Sequence, residues 1–177
     1  MEPVTSIMLK TFLQRLGERY PNPAEIYLLG GSALCLLGSP RETLDVDYTF
    51  EISLEQSQAF QAALEQLGAE MKLDLESVAL GEFIPLPPEA YQRRRFVGRF
   101  VSLDVYIFDL YSIALSKIAR GFEPDVEDVL FMLTQKLIAF DELERLYQII
   151  LPQAARSDID PKEFRAYFEE VRRRWVK

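Results

Sequence analysis

Two aspartates, Asp45 and Asp47, are separated by one apolar residue in a segment that alternates like a β-strand. Alternate side chains of a strand project from the same face, so these two carboxylates are expected to lie side by side. Two carboxylates at such a short distance repel each other unless a cation lies between them. Carboxylate oxygens are hard ligands, which suit Mg²⁺ or Mn²⁺. The spacing therefore predicts a divalent-metal site on this strand.

A glycine pair followed by a serine, Gly30-Gly31-Ser32, interrupts the apolar run before these aspartates. A glycine turn that opens a helix offers backbone N–H groups, and a side chain at either glycine would hold a phosphate away from them. We therefore expect these residues to bind phosphate oxygens; the alternative is an ordinary turn between a strand and a helix. A phosphate site beside metal-binding carboxylates is the arrangement that phosphoryl transfer requires.

Two hydroxyl side chains near this segment are further candidates for nucleotide binding, and each has two interpretations. Ser32 either bonds a phosphate through its hydroxyl or caps the N-terminus of the helix after the glycines. Thr43 stands two residues before Asp45, where it either reaches a phosphate or caps the strand.

The elements that must position these residues follow from hydrophobic periodicity in the first two-thirds of the chain. Helices and strands are mixed there, and Gly68 is expected to end the third helix. In chain order the predicted segments are a helix (Thr5–Tyr20), a strand (Glu25–Leu29), a helix (Ser32–Leu37), a strand (Asp45–Ile52), a helix (Leu54–Leu67), a strand (Leu75–Leu80) and a hairpin or long bent strand (Arg95–Phe108).

After Asp109 the periodicity is helical throughout, and a possible linker lies within residues 153–161. We therefore predict an α/β (α+β) fold, with a small mixed sheet and its helices in residues 1–109. A C-terminal helical region, residues 110–177, is expected to pack on that core. Its predicted helices are Leu110–Arg120, Asp125–Ala139, Glu142–Leu151 and Lys162–Val176.

The composition excludes several kinds of site. The chain of 177 residues carries a formal charge of −8, which argues against a general nucleic-acid coat. Its two basic runs, residues 93–95 and 172–174, are interpreted as solvated ends of elements rather than nucleic-acid patches. Histidine is absent, which excludes histidine triads and His-ligated zinc. A single cysteine and the lack of a long apolar run predict a soluble, cytoplasmic protein without membrane contact.

Gly30-Gly31-Ser32, followed after twelve residues by Asp45-Val46-Asp47, resembles the signature of the nucleotidyltransferase fold superfamily, the polymerase-beta-like group. A later segment, LSKIARGFEPDVEDVLFML, is similar to a motif of uncharacterised bacterial nucleotidyltransferases. Those proteins are related to the nucleotidyltransferase toxins of abortive-infection toxin–antitoxin pairs. The motif residues here are Lys117, Arg120, Asp125 and Asp128.

The resemblance implies a Mg²⁺- or Mn²⁺-dependent transfer of a nucleoside monophosphate from an NTP to an unknown acceptor. In this superfamily a third carboxylate comes from a neighbouring strand, and Asp104 is the candidate here. The alternative is that Asp104 is an exposed strand carboxylate without a role in metal binding. Asp109 is expected to be a helix N-cap instead. Asp45, Asp47 and Asp104 would then be both the catalytic residues and the metal ligands.

Lys117 and Arg120 lie three residues apart on one predicted helix face, so both can converge on a single anion. They are therefore candidates for binding the triphosphate, and the alternative is a salt-bridge cluster with Asp125 and Asp128. Two alternatives to an active enzyme also stay open: a catalytically degenerate nucleotide-binding protein, and a toxin that acts on tRNA or a protein. The expected acceptor is a small molecule, a tRNA or a protein. The expected protein partner is either a second copy of the chain, with Trp175 at the contact, or an antitoxin.

Overall fold

The computed structural model describes residues 3–157 and 159–176. Its contacts divide the chain into two units. The first comprises the described residues up to Val78 together with Arg95–Phe108. The second comprises Ala79–Arg94 and the described residues from Asp109 onwards. Across both units the described residues form seven α-helices and five strands, which confirms the predicted mixed fold.

The first unit contains one open mixed sheet in the strand order β3-β2-β1-β5-β4. β1 runs antiparallel to β2 and parallel to β5, β2 runs parallel to β3, and β4 runs antiparallel to β5. The residues 95–108 therefore form a hairpin, which settles the choice between a hairpin and a bent strand. The strands are β1 (Ala24–Leu28), β2 (Asp45–Glu51), β3 (Asp74–Ser77), β4 (Arg95–Phe100) and β5 (Leu103–Ile107).

Three helices belong to the first unit: α1 (Ser6–Arg19), α2 (Gly30–Leu36) and α3 (Leu54–Met71). α1 packs against α3, and the ring of Phe60 in α3 meets that of Phe50 in β2 edge-on, with centroids 4.9 Å apart. These helices therefore cover the face of β2 that carries Val46 and Phe50. Asp45 and Asp47 alternate with those residues and project from the opposite face.

The expectation that Gly68 ends α3 is wrong. The helix continues to Met71 and is terminated by Lys72, which has a φ of 55°. Gly68 instead provides space, because a Cβ there would lie 2.7 Å from Cδ1 of Leu75. The glycine thus brings α3 close to β3, the strand that follows it.

The second unit contains α4 (Leu110–Arg120), α5 (Glu123–Thr134), α6 (Phe140–Ile150) and α7 (Pro161–Trp175). Asp109 is the N-cap of α4, as predicted, and accepts hydrogen bonds from the backbone N–H groups of Tyr111 and Ser112. Much of the predicted linker is a 3₁₀ turn, Leu151–Ser157, whereas residue 158 lies outside the described residues. Within the described ranges, no helix is both long and apolar enough to cross a membrane.

Candidate metal and nucleotide site

Three carboxylates from two neighbouring strands converge on one face of the sheet. Asp45 and Asp47 come from β2, and Glu76 comes from β3, where it is the register partner of Asp47. One oxygen from each of the three side chains lies within 4.8 Å of the others. The aspartates are half-buried and Glu76 is exposed, so the cluster is open to solvent on the side of β3. These three residues are called the carboxylate cluster below.

The donor set of the carboxylate cluster fits a hard divalent cation. All three ligands are oxygens, which are the ligands that Mg²⁺ and Mn²⁺ prefer. Three ionised carboxylates at this separation also repel one another, and a divalent cation between them lowers that electrostatic cost. Mg²⁺ usually retains several waters and takes only a few carboxylates from the protein, so three side chains are sufficient.

Gly30 and Gly31 allow the start of α2 to approach β2 closely. A Cβ at Gly30, where φ is +50°, would lie 1.8 Å from Oδ2 of Asp47. The backbone N–H of Gly31 donates to the same oxygen, with an N–O distance of 3.3 Å. A Cβ at Gly31 would lie 2.5 Å from Oγ1 of Thr43. The two glycines therefore make room for the side chains of Asp47 and Thr43.

The hydroxyls of Ser32 and Thr43 are both directed into the protein. Ser32 is fully buried, and its Oγ lies 2.8 Å from the carbonyl oxygen of Leu29 and 3.0 Å from that of Asp47. It links the turn to β2 instead of capping α2, which has no side-chain cap. Thr43 is buried as well, and its Oγ1 donates to Oδ1 of Asp45 at 2.7 Å. These contacts favour positioning roles over direct phosphate contacts.

Asp104 does not join the carboxylate cluster. It pairs in register with Glu25 in β1, whereas the carbonyl of Asp47 accepts from the N–H of Leu29, four residues further along. That separation corresponds to about 13 Å along the sheet. Asp104 instead accepts two hydrogen bonds from Arg99 at 2.6 and 2.8 Å, and these lower the pKa of its carboxyl group. This register argues against Asp104 as the third ligand of the carboxylate cluster.

Sequence reasoning missed Glu76, although a signal for it was present. β2, α3 and β3 form a strand–helix–strand unit, a connection that typically joins parallel strands. Adjacent parallel pairing of β2 and β3 brings Glu76 level with Asp47. The alternation of Asp74, Leu75 and Glu76 then predicts two carboxylates on one face of β3.

A family model described as a nucleotidyltransferase of unknown function (DUF6036) matches residues 7–176 of the chain. The chain belongs to this family. No curated protein matches the sequence. Among solved structures, the chain is similar to an antigenic nucleotidyltransferase-like protein from Paracoccidioides brasiliensis. The two share 20% identity with a TM-score of 0.49, over 76% of this chain and 79% of the other.

In this nucleotidyltransferase-family chain, Lys117 is almost completely buried, with 2% of its surface exposed. Its Nζ lies 3.1 Å from Oδ1 of Asp125 and 2.7 Å from Oδ2 of Asp128. Arg120 is half-exposed and donates two hydrogen bonds to Asp125, at 3.0 and 2.7 Å. Two positive and two negative side chains thus form an ion network that connects α4 to α5. These contacts favour the salt-bridge interpretation, and a phosphate contact by Lys117 or Arg120 stays a prediction.

In the basic runs of this family member, Arg93 and the three arginines of residues 172–174 pair with carboxylates. Arg93 donates to both oxygens of Asp109, at 2.8 and 2.7 Å, which raises the pKa of its guanidinium group. In α7, Arg172 pairs with Glu144 and Glu169, Arg173 with Glu170, and Arg174 with Glu123 and Glu127. These pairs fit the interpretation of the runs as ends of elements.

Proposed function

We propose that this protein is a Mg²⁺- or Mn²⁺-dependent nucleotidyltransferase that moves a nucleoside monophosphate from an NTP to an acceptor. The observation that carries the proposal is the carboxylate cluster of Asp45, Asp47 and Glu76, with its oxygens within 4.8 Å of one another. Its occurrence in a chain of a nucleotidyltransferase family supports a role in phosphoryl transfer rather than in packing.

Each member of the carboxylate cluster has a proposed role. Asp45, Asp47 and Glu76 hold the divalent cation. The bound cation supplies neutralisation of the negative charge on the transferring phosphoryl group and on the departing pyrophosphate. Glu76 is the exposed member. It is therefore the carboxylate that we propose accepts the proton of the acceptor hydroxyl.

The proposed reaction forms one bond and breaks one bond. The acceptor oxygen attacks the α-phosphorus of the NTP while its proton passes to a carboxylate oxygen of Glu76. The bond between the α-phosphorus and the bridging oxygen of the β-phosphate breaks, and pyrophosphate leaves with that oxygen. No covalent enzyme intermediate is required, so the protein contributes mainly positioning and charge neutralisation.

The proposed position of the triphosphate is beside Asp47, at the turn formed by Gly30 and Gly31. Neither residue has a Cβ, and the Gly30 position in particular has no room for one. The side chains of Asp47 and Thr43 fill the space that a Cβ would take at these glycines, so a phosphate at this turn would bind next to both side chains. Ser32 and Thr43 are proposed to support this turn and the carboxylates from within the protein.

The displacement of Asp104 bears on the degenerate-protein alternative, because a site with only two carboxylates would favour lost turnover. Glu76 lies where it can serve as a third carboxylate, which supports an active site, and the degenerate-protein alternative stays a prediction. The toxin alternative concerns the acceptor, and no contact among the described residues distinguishes tRNA, a protein or a small molecule. A second copy or an antitoxin as partner likewise stays a prediction.

The test is calorimetric titration of the purified protein with ATP, GTP, CTP and UTP in Mg²⁺ and without a metal. We expect metal-dependent binding of at least one NTP, and we expect it to be lost in Asp45→Asn/Asp47→Asn. Glu51→Gln is the matched control, because it makes the same carboxylate-to-amide change on the same face of β2, outside the carboxylate cluster.

Two results would contradict the proposal. One is the absence of binding with every nucleotide from a folded wild-type protein. The other is equal binding by wild type and Asp45→Asn/Asp47→Asn. If binding is found, growth arrest on expression of the wild type but not of this double variant would direct the acceptor screen towards tRNA and proteins.

A further inference from the structure

The hydroxyl of Thr43 donates a hydrogen bond to a member of the carboxylate cluster. Its Oγ1 donates to Oδ1 of Asp45 at 2.7 Å, and the residue is only 6% exposed. The hydroxyl has a single proton, so it cannot donate a hydrogen bond to a ligand while it makes this bond. We propose that Thr43 is a positioning residue that fixes the metal-binding orientation of Asp45, an inference that rests on the proposed function.

The backbone of Thr43 is fixed although the residue lies outside the strand. β2 begins two residues later, at Asp45. Thr43 forms an isolated antiparallel bridge with Val4, and its carbonyl accepts from the N–H of Val4 at 2.8 Å. Val4 is itself buried, so the N-terminal segment anchors the approach to the metal-binding strand.

The side chain of Thr43 is fixed by Gly31. A Cβ at Gly31 would lie 2.5 Å from Oγ1 of Thr43 and 2.8 Å from its Cβ. The threonine therefore packs directly on the glycine backbone, which restricts the directions available to its hydroxyl. The N–H of Gly31 also donates to Asp47. Gly31 thus contacts both Thr43, which hydrogen-bonds Asp45, and the carboxylate of Asp47.

This arrangement orients the carboxylate of Asp45 before any metal binds. The hydrogen bond to Oδ1 restricts rotation of the carboxylate and so holds its oxygens in place for a cation. Holding a ligand in its bound orientation reduces the rotamer entropy that metal binding must otherwise remove. Loss of such a supporting hydrogen bond typically weakens metal binding by roughly 10–100-fold. Thr43 should therefore affect metal affinity without touching the metal or the nucleotide.

The test compares Mn²⁺ affinity, measured on the full chain by electron paramagnetic resonance with the metal alone. Thr43→Val removes the hydroxyl but preserves the shape, and we expect its affinity to fall about 10-fold or more. Thr43→Ser retains the hydroxyl and should stay within about threefold of wild type. The matched control is Thr49→Val, the same substitution on the same face of β2, with affinity expected to remain unchanged.

One further variant, Thr43→Ala, removes the effect of packing from the comparison. Thr43→Ser and Thr43→Ala both lose the methyl group and differ only in the hydroxyl, so a positioning role predicts weaker Mn²⁺ binding for Thr43→Ala alone. Thermal unfolding of each variant is recorded in parallel. A purely structural role would lower the unfolding temperature of both and would leave the Mn²⁺ affinity of folded protein equal.

The outcomes separate this inference from the proposed function. If wild type binds no Mn²⁺, the proposed function fails and the inference fails with it. If wild type binds Mn²⁺ but Thr43→Val and Thr43→Ala bind it equally well, only the positioning role of Thr43 is overturned. Weaker Mn²⁺ binding by Thr43→Val and Thr43→Ala, together with binding by Thr43→Ser that stays close to wild type, supports the positioning role.

Discussion

At the candidate site, the backbone of Gly30 leaves no room for a side chain beside the carboxylate of Asp47. A Cβ at Gly30 would lie 1.8 Å from Oδ2 of Asp47, which no side-chain adjustment short of moving the carboxylate can relieve. Gly38 has a positive φ as well, +84°, but a Cβ there would meet nothing within 4 Å. The two glycines therefore share a backbone conformation that disfavours side chains and differ in what a side chain would contact.

This difference gives a prediction for Gly30→Ala and Gly38→Ala. Both substitutions should lower the free energy of unfolding by about 1–2 kcal/mol, because alanine disfavours a positive φ. Only Gly30→Ala should also displace Asp47 and weaken Mn²⁺ binding, by about 10-fold or more. Urea unfolding and Mn²⁺ titration measure the two effects. Equal Mn²⁺ affinity in both variants would show that Gly30 does not constrain the site.

At the scale of elements, strand register decides which carboxylates meet. The sequence pattern predicted β1 and β2 and left residues 95–108 as a hairpin or a bent strand. Alternation within a strand does not reveal which strands are neighbours. Asp104 was expected in the cluster because the family resemblance implies a third carboxylate on a neighbouring strand. The parallel pairing of β5 with β1 places it opposite Glu25, away from Asp47. Glu76 meets Asp47 because α3 connects β2 to a parallel β3.

The N-terminus of α4 is a second place where an element depends on one carboxylate. Asp109 is fully buried, accepts from two backbone N–H groups and from the hydroxyl of Ser112, and pairs with Arg93. Sequence reasoning predicted the cap because aspartate before an apolar helical run is a common N-cap. The pairing with Arg93 could not be predicted, because the two residues are separated by a hairpin.

Asp109→Ala should therefore lower the free energy of unfolding by about 3 kcal/mol, since it removes the cap and leaves Arg93 without its buried partner. Asp109→Asn should cost less, because asparagine is also a good N-cap although it lacks the charge. Urea unfolding at neutral pH measures both. Equal losses for the two variants would mean that the charge, and not the cap, accounts for the stabilisation.

For the whole molecule, the family and the mixed α/β fold could be predicted from the sequence alone. Glycine turns, paired aspartates and hydrophobic periodicity are local signals, which a sequence shows directly. Roles that depend on tertiary contacts were not predictable in the same way. Lys117 has the residue type of a phosphate ligand, yet its ammonium group contacts two aspartates. The chain has a formal net charge of −8, and arginines of its basic runs pair with carboxylates. Both observations disfavour a large nucleic-acid-binding surface.

We propose that Asp45, Asp47 and Glu76 form a metal site and that Asp104 lies outside it. Mn²⁺ titration of Glu76→Gln and Asp104→Asn by electron paramagnetic resonance tests it most directly, because both variants change one carboxylate to an amide on the same sheet. We expect Glu76→Gln to lose roughly 10-fold or more in affinity, as removal of a supporting contact alone can do that. Asp104→Asn should bind Mn²⁺ like wild type. Weakened binding by Asp104→Asn together with wild-type affinity for Glu76→Gln would contradict the assignment of the site.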